Sequence, residues 1–379
     1  MFLRSVELHM RSDVPVGAAL SGGIDSSSIV CAMRHLRGAS LDLHAISYVA
    51  DDAAVSEERF IDLAVESSGS IVHKTSPSAI DLKDDLEALI AAQGEPFGST
   101  SIYAQYRVFK KAREVGIKVM LDGQGADELL GGYRGYLAVR LASLLRRGKF
   151  LKAASLRNAC RSLPDHDRRL LLRAMGMLLP GPLQVAMRGL VGEALTPSWM
   201  NGSYFDKHDV RPVLLRRRSG SDMLRAELAS AVFETSLPML LRYEDRNSMA
   251  FSIESRVPFL TREPAEFILA FPGGCLIACD GTSKQVFRRA MAGIVPDAIL
   301  NRRDKIGFVT PERRWLSDLA PWVQAILASP LARQIPALNH AEVLRHWQVA
   351  INDPGRFDFR IWRWINLIKW AQRLNVSFE

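Results

Sequence analysis

Serine, glycine and aspartate crowd together early in the chain, as Ser21-Gly22-Gly23-Ile24-Asp25-Ser26-Ser27 after Leu20, and these types together can hold a phosphate and a metal ion. Gly22 and Gly23 carry no side chain to keep a phosphate off the backbone, and the hydroxyls of Ser21, Ser26 and Ser27 add donors. A helix starting here aims its free N–H groups and the positive end of its dipole at the same spot. The turn has no Lys and does not fit G-x-x-x-x-G-K-[ST], so a loop in which Lys holds the β- and γ-phosphates is excluded. Asp25 inside an anion cradle makes sense only if a cation bridges it to the phosphate, and Mg2+ is the ordinary choice beside a nucleotide. The implied ligand is Mg-ATP or Mg-pyrophosphate. An isolated Ser-Gly-Gly is as well explained by a tight capped turn, whereas the full segment after a strand is not.

Three further segments carry chemistry. Asp122-Gly123-Gln124-Gly125-Ala126-Asp127-Glu128, ending in Gly131-Gly132-Tyr133, repeats the strand-then-glycine order, and Asp127 becomes a second Mg2+ ligand facing Asp25. Between Leu241 and Leu260, the charges Asp245, Arg246, Glu254 and Arg256 alternate with Met249, Phe251, Val257 and Phe259. That mixture predicts partly buried, paired charges rather than a washed face. Last come Lys284-Gln285-Val286-Phe287-Arg288 and Arg303-Asp304-Lys305-Ile306-Gly307-Phe308-Val309-Thr310-Pro311.

These four segments, in this order, resemble the asparagine synthetase family within the PP-loop enzymes, which split ATP between its α- and β-phosphates. The second is similar to G-[EQ]-G-[AS]-D-E-x-x-x-G-Y, with Gln124 where some members have a Glu assigned a catalytic role. An amide can hydrogen-bond a substrate but takes no proton at neutral pH. The third resembles R-x-x-D-R-x-S-M-A-x-S-x-E-x-R-x-P-F-L-D, with Thr261 in place of the final Asp. The fourth resembles a K-x-x-L-R helix and an R-x-K-x-G-F-x-x-P loop.

The resemblance implies ATP and Mg2+ as cofactors and an amide-forming ligase: aspartate is adenylated and ammonia then displaces AMP. It implies Mg2+ on Asp25 and Asp127, and ATP or pyrophosphate on Leu20, Ser21, Gly22, Gly23, Ser26, Ser27, Asp122 and Gly123, with adenine beside Ile46 and Ser47. Opening ATP at the α-phosphate builds negative charge on phosphorus and departing pyrophosphate, which Lys284, with Lys305 second, would steady. Gln124 takes the catalytic position, and Glu254 would line the acceptor pocket and assist the amine attack. Glutamine-dependent members carry an N-terminal glutaminase opening Met-Cys. Here Phe2 follows Met1, so ammonia is expected from a separate glutaminase subunit or from solution, unless the chain is a fragment. Two other readings stay open. One is a relative adenylating another carboxylate in secondary metabolism or glycan decoration, kept alive by Gln124 and Thr261; the other is a noncatalytic nucleotide-binding subunit, against which Asp25, Asp127 and Lys284 argue.

The elements that must position these residues follow from hydrophobic period. Short apolar runs at 16–20, 43–49, 70–73 and 118–121 alternate with helical periods at 58–67, 82–92 and 102–115. Such alternation predicts an α/β fold with a doubly wound parallel sheet over residues 1–134. Residues 135–230, rich in Arg and Leu, read as a variable helical insertion, and 231–379 as a helical part completing the site. Trp362, Trp364 and Trp370 fall in a closing helix at 359–374, suited to core packing.

At 379 residues, 48% hydrophobic and 24% charged, the composition is that of a large globular enzyme. Four dispersed cysteines without a C-x-x-C pair fit a cytoplasmic protein, and no apolar run of membrane length appears. Eight histidines lack zinc spacing. A net charge of +8, with Arg146-Arg147, Arg168-Arg169 and Arg216-Arg217-Arg218, invites a nucleic-acid reading. No RNA-reading aromatic motif accompanies these arginines, so small-molecule substrates are expected and nucleic acid is not.

Overall fold

A computed structural model describes every residue except 53–54, 164–166, 181–182, 185–195, 211–221, 305–307 and 379. Lys305 and Arg216 to Arg218 therefore lie outside the described residues. The apolar runs become β1 (Val16–Ala19), β2 (His44–Tyr48), β3 (Ile71–Thr75) and β4 (Val119–Leu121), joined by β5 (Glu254–Arg256). All pairings are parallel, in the order β3-β2-β1-β4-β5, with Ala18 opposite Ala45 on one side and Leu121 on the other.

The intervening periods form α1 (Phe2–His9), α2 (Ile24–Arg37), α3 (Glu58–Ser68), α4 (Ala79–Gln93), α5 (Ser101–Glu114), α6 (Ala126–Leu130) and α7 (Gly135–Arg146). Strand side chains alternate between faces, so Ala45 and Leu121 pack into the core holding α2, while their neighbours Ile46 and Met120 pack against Val108 and Phe109 of α5. The chain winds outward from β1 through β2 to β3, then returns to build β4 and β5 on the other side. That reversal leaves a crevice beyond the carboxyl ends of β1 and β4, where open α/β sheets take their ligands.

One correction concerns residues 231–379, which are not wholly helical. β5 is a strand of Glu254, Ser255 and Arg256, with Glu254 donating its N–H to the Lys118 carbonyl at 2.9 Å and the Arg256 carbonyl accepting from Asp122 N–H at 2.8 Å. An edge strand draws its pairing from backbone, so three polar side chains suffice once fully buried Ile253 anchors its start.

A second core gathers Trp315, Trp347, Trp362 and Trp364 against Leu82, Leu86 and Leu89 of α4. The closing helix is Arg360–Arg373, and Trp370 at its half-covered side donates to the Gly94 carbonyl at 3.0 Å. Within this core Glu312 is buried; one carboxylate oxygen accepts from the Thr100 hydroxyl at 2.7 Å and the other has no partner among the described residues. Burial pushes its pKa up to about 7, against a smaller opposing effect from Thr100. The native protein therefore keeps this proton to higher pH than the unfolded chain, and the stability so gained is lost as pH rises from about 4.5 through about 7. Glu312→Gln should flatten that fall. Melting temperature against pH, for both proteins, reads the difference.

Candidate active site

β1 runs out through one more ladder bond, Leu20 N–H to the Ile46 carbonyl at 2.9 Å, and then turns sharply at Gly22. Gly22 has φ +77°, and a Cβ there would stand 2.9 Å from the Ile61 nitrogen and the Phe60 Cβ, so the turn packs on the start of α3 only because nothing projects from it. Gly23 caps α2 without a side-chain bond, leaving the first amides of a 14-residue helix to a ligand. Ser26 Oγ steadies the turn, accepting from Ser21 N–H at 3.1 Å and donating to the Gly23 carbonyl at 3.3 Å.

Above this turn lies a cavity of about 410 Å³. Three charged groups from distant parts of the chain meet in it. The Lys284 ammonium, 3% exposed, bonds to Asp25 at the start of α2 and to Asp127 Oδ1 of α6 at 2.7 Å. Burial alone would lower the ammonium pKa, but Asp127 and Asp25 outweigh it and hold the value above the usual one. Lys284 sits at φ 56° and ψ 30° ahead of the helix Gln285–Ala290, a left-handed conformation that costs about 1–3 kcal/mol for a residue with a Cβ and persists at sites held by their surroundings.

The rest of the cavity divides by chemistry. Arg302, buried, pairs with Glu57 at 2.6 Å, lies 3.9 Å over the Phe60 ring and donates to the Gly22 carbonyl. With Arg288, Arg303 and Arg134 it makes a cationic wall suited to a polyphosphate. Tyr48, whose ring centre is 5.4 Å from that of Phe308, joins Ile46 in an apolar slot at the end of β2, of the kind that takes a flat base.

The opposite end holds Ile102, Gln105, Asp122, Gln124, Leu240 and Tyr243. Burial raises the Asp122 pKa, with the Gly123 N–H and the Gln105 amide partly offsetting it. Behind Gln124 lies Glu244, 2% exposed, on the helix Leu237–Met249. Burial, and then the nearby Asp122 charge, raise its pKa well above the carboxylate range.

Of the residues singled out from sequence, Leu20, Ser21, Gly23, Asp25, Ser26, Ile46, Asp122, Gly123, Gln124, Asp127 and Lys284 line the cavity. Gly22, Ser27 and Ser47 do not line it; Ser27 and Ser47 are fully buried, their hydroxyls without hydrogen-bond partners among the described residues. Lys305 is outside the described residues. Glu254 needs correcting: its side chain is 62% exposed on the sheet edge and bonded to Arg256 at 2.8 Å, which holds its carboxyl below the ordinary range, so it lines no part of the cavity. Strand alternation put a carboxylate thought to face the acceptor on the outside. Thr261 also lies elsewhere, its hydroxyl hydrogen-bonded to Ser5 of α1. Sequence reasoning overlooked Arg134, Arg288, Arg302, Arg303 and Glu244, although Arg288 and Arg302 flank the lysines it chose.

The family model for asparagine synthase matches residues 1–372. The chain is 31% identical over 333 residues to asparagine synthetase [glutamine-hydrolyzing] 1 of Bacillus subtilis (strain 168), covering 85% of this chain and 51% of that protein. It is 30% identical over 390 residues to a putative asparagine synthetase [glutamine-hydrolyzing] of Mycobacterium tuberculosis (strain ATCC 25618 / H37Rv), covering 97% of this chain and 56% of that one. A further relative, asparagine synthetase [glutamine-hydrolyzing] 3 of Bacillus subtilis (strain 168), is 26% identical over 339 residues. The chain thus spans about half the length of the curated relatives it matches. Among the described residues no helix is long and apolar enough to cross a membrane.

Proposed function

The chain belongs to the asparagine synthase family, and from that premise we propose that it makes an amide at the expense of ATP: aspartate is adenylated on its side-chain carboxylate, and ammonia converts the adenylate to asparagine and AMP. One observation carries this reading: Asp25 and Asp127, from the turns after β1 and β4, share the Lys284 ammonium at the point where the sheet reverses direction.

Adenine enters the slot of Ile46, Tyr48 and Phe308, and the phosphates lie over the Ser21–Ser26 turn, facing the free amides of α2. Asp25 Oδ1 is buried without a hydrogen-bond partner among the described residues, and a bare carboxylate oxygen beside a second Asp is the hard oxygen donor set that suits Mg2+. Asp25 and Asp127 would hold that ion, which neutralises charge on the phosphates when bound. The carboxylate of aspartate attacks the α-phosphorus; the bond to the bridging oxygen breaks and pyrophosphate leaves with the electron pair. Lys284 and the wall of Arg288 and Arg302 stabilise the charge that develops there. Ammonia then forms the C–N bond, AMP leaves, and a proton passes from nitrogen to solvent. The relatives are named for glutamine hydrolysis, and a glutaminase domain or subunit supplying the ammonia fits this scheme. The four free thiols suit a cytoplasmic setting, where ATP and aspartate are abundant.

Pyrophosphate release measured over aspartate and a panel of other carboxylic acids tests the reading, with AMP and asparagine as the products to be found. Release with another acid and silence with aspartate would transfer the assignment to the alternative acceptor. Gln124 now carries that alternative alone, since Thr261 faces α1.

A further inference from the structure

Glu244 is a buried carboxylate with no cation on it among the described residues; the charges around it are Asp122 and Asp245, both of its own sign. A buried acid without a cation is costly to ionise, which is why its pKa rises, and its oxygens still need hydrogen-bond partners. Oε1 accepts from the Ser255 hydroxyl of β5; Oε2 has no hydrogen-bond partner among the described residues, and the Gln124 amide stands near enough to this carboxyl to act on it as a donor.

We propose, resting on the function above, that Glu244 is a positioning residue for the attacking nitrogen: it takes an N–H of the Gln124 amide, which turns the Gln124 carbonyl oxygen into the cavity to accept a hydrogen bond from ammonia. A side-chain amide is planar, with donor and acceptor on opposite sides, so fixing one fixes the other. Its neighbour is locked in the same manner. Asn247, fully buried, donates to Gln105 Oε1 at 3.0 Å, which leaves the Gln105 NH2 group for Asp122. The cavity end away from the phosphates therefore presents two acceptors, the Gln124 oxygen and the Asp122 carboxylate. Ammonia has one lone pair and three N–H bonds; two N–H bonds held on these acceptors leave the lone pair free to face an acyl carbon.

The test separates the two half-reactions. Aspartate-dependent exchange of pyrophosphate into ATP reads adenylation alone, and asparagine formation against ammonium concentration reads the nitrogen step. Glu244→Met should raise the ammonia KM by about tenfold or more while exchange stays within about twofold of wild type, the scale of one buried hydrogen bond. Glu244→Gln keeps a carbonyl acceptor and should restore the KM to within about threefold. A double variant with Gln124→Met should be no worse than Gln124→Met alone, because Glu244 acts only through that amide. An unchanged ammonia KM in Gln124→Met, which leaves the Glu244 and Ser255 pair in place, overturns the inference even if Glu244→Met fails to fold. So does a Glu244→Gln variant as impaired as Glu244→Met, or an additive double variant. Wild type that shows no aspartate-dependent exchange overturns the functional reading and this inference with it; intact exchange beside an unaltered ammonia dependence overturns the inference alone.

Discussion

Lys284→Met is expected to slow pyrophosphate release from ATP by about a hundred- to a thousandfold, the loss that follows removal of one preorganised charge from a transition state. Its cost to folding should be just as plain. The ammonium is the shared partner of Asp25 and Asp127, and taking one member from a buried charge cluster strands the others, at about 3–5 kcal/mol. Mg2+ should therefore raise the melting temperature of the variant more than that of wild type, since a divalent ion can sit on the two bared acids. Activity should not return with it. Thermal unfolding with and without Mg2+, beside a pyrophosphate assay, separates the structural part of Lys284 from the chemical part. A variant equally stable without the ion, or one that regains turnover with it, contradicts the arrangement described.

Gly132→Ala should leave a folded protein that is inactive, by about a thousandfold or more, for a reason of space. A Cβ on Gly132 would fall 1.8 Å from Asp127 Oδ1 and 2.4 Å from the Lys284 Cε. Both belong to side chains, so the backbone has no need to move and the fold should survive, with the melting temperature lowered by the strain placed on the buried Asp127 and Lys284 pair. Yet the groups that must swing aside are the acid and the ammonium on which the site is built, and a displacement of about 1 Å at a reacting centre already costs about a hundredfold. Circular dichroism and melting establish the fold; the pyrophosphate assay supplies the loss. Wild-type turnover in this variant would mean that Asp127 and Lys284 do not act from the positions seen.

Much of this was legible in sequence because parallel strands announce themselves. Val16 to Ala19 and Val119 to Leu121 are apolar, largely buried and soon followed by glycine, and that pattern pointed to Asp25 and Asp127 from sequence alone. β5 gave no such signal: Glu254, Ser255 and Arg256 pair through their backbone, so hydropathy had nothing to register. The error over Glu254 has the same root, since without a strand there was no alternation to say which way it points. The arginine wall was hidden for another reason. Arg134, Arg288, Arg302 and Arg303 are ordinary surface residue types, and only their convergence over the Gly22 turn gives them a role. Glu244 looked like one charge among several in Arg242-Tyr243-Glu244-Asp245-Arg246, and burial, which no single sequence reveals, is what distinguishes it.

The long reach from Asp25 to Lys284 bears on how the protein is born. A ribosome delivers both acids before it has made the cation that joins them, and β4 waits unpaired along one edge until residues 254–256 arrive to close it. During that interval the nascent chain carries two bared carboxylates and an open strand, the features that invite misassociation. ATP present in the cell has no finished seat until Lys284 and the arginines that follow it have emerged, so nucleotide added during translation should protect only chains that have passed residue 303.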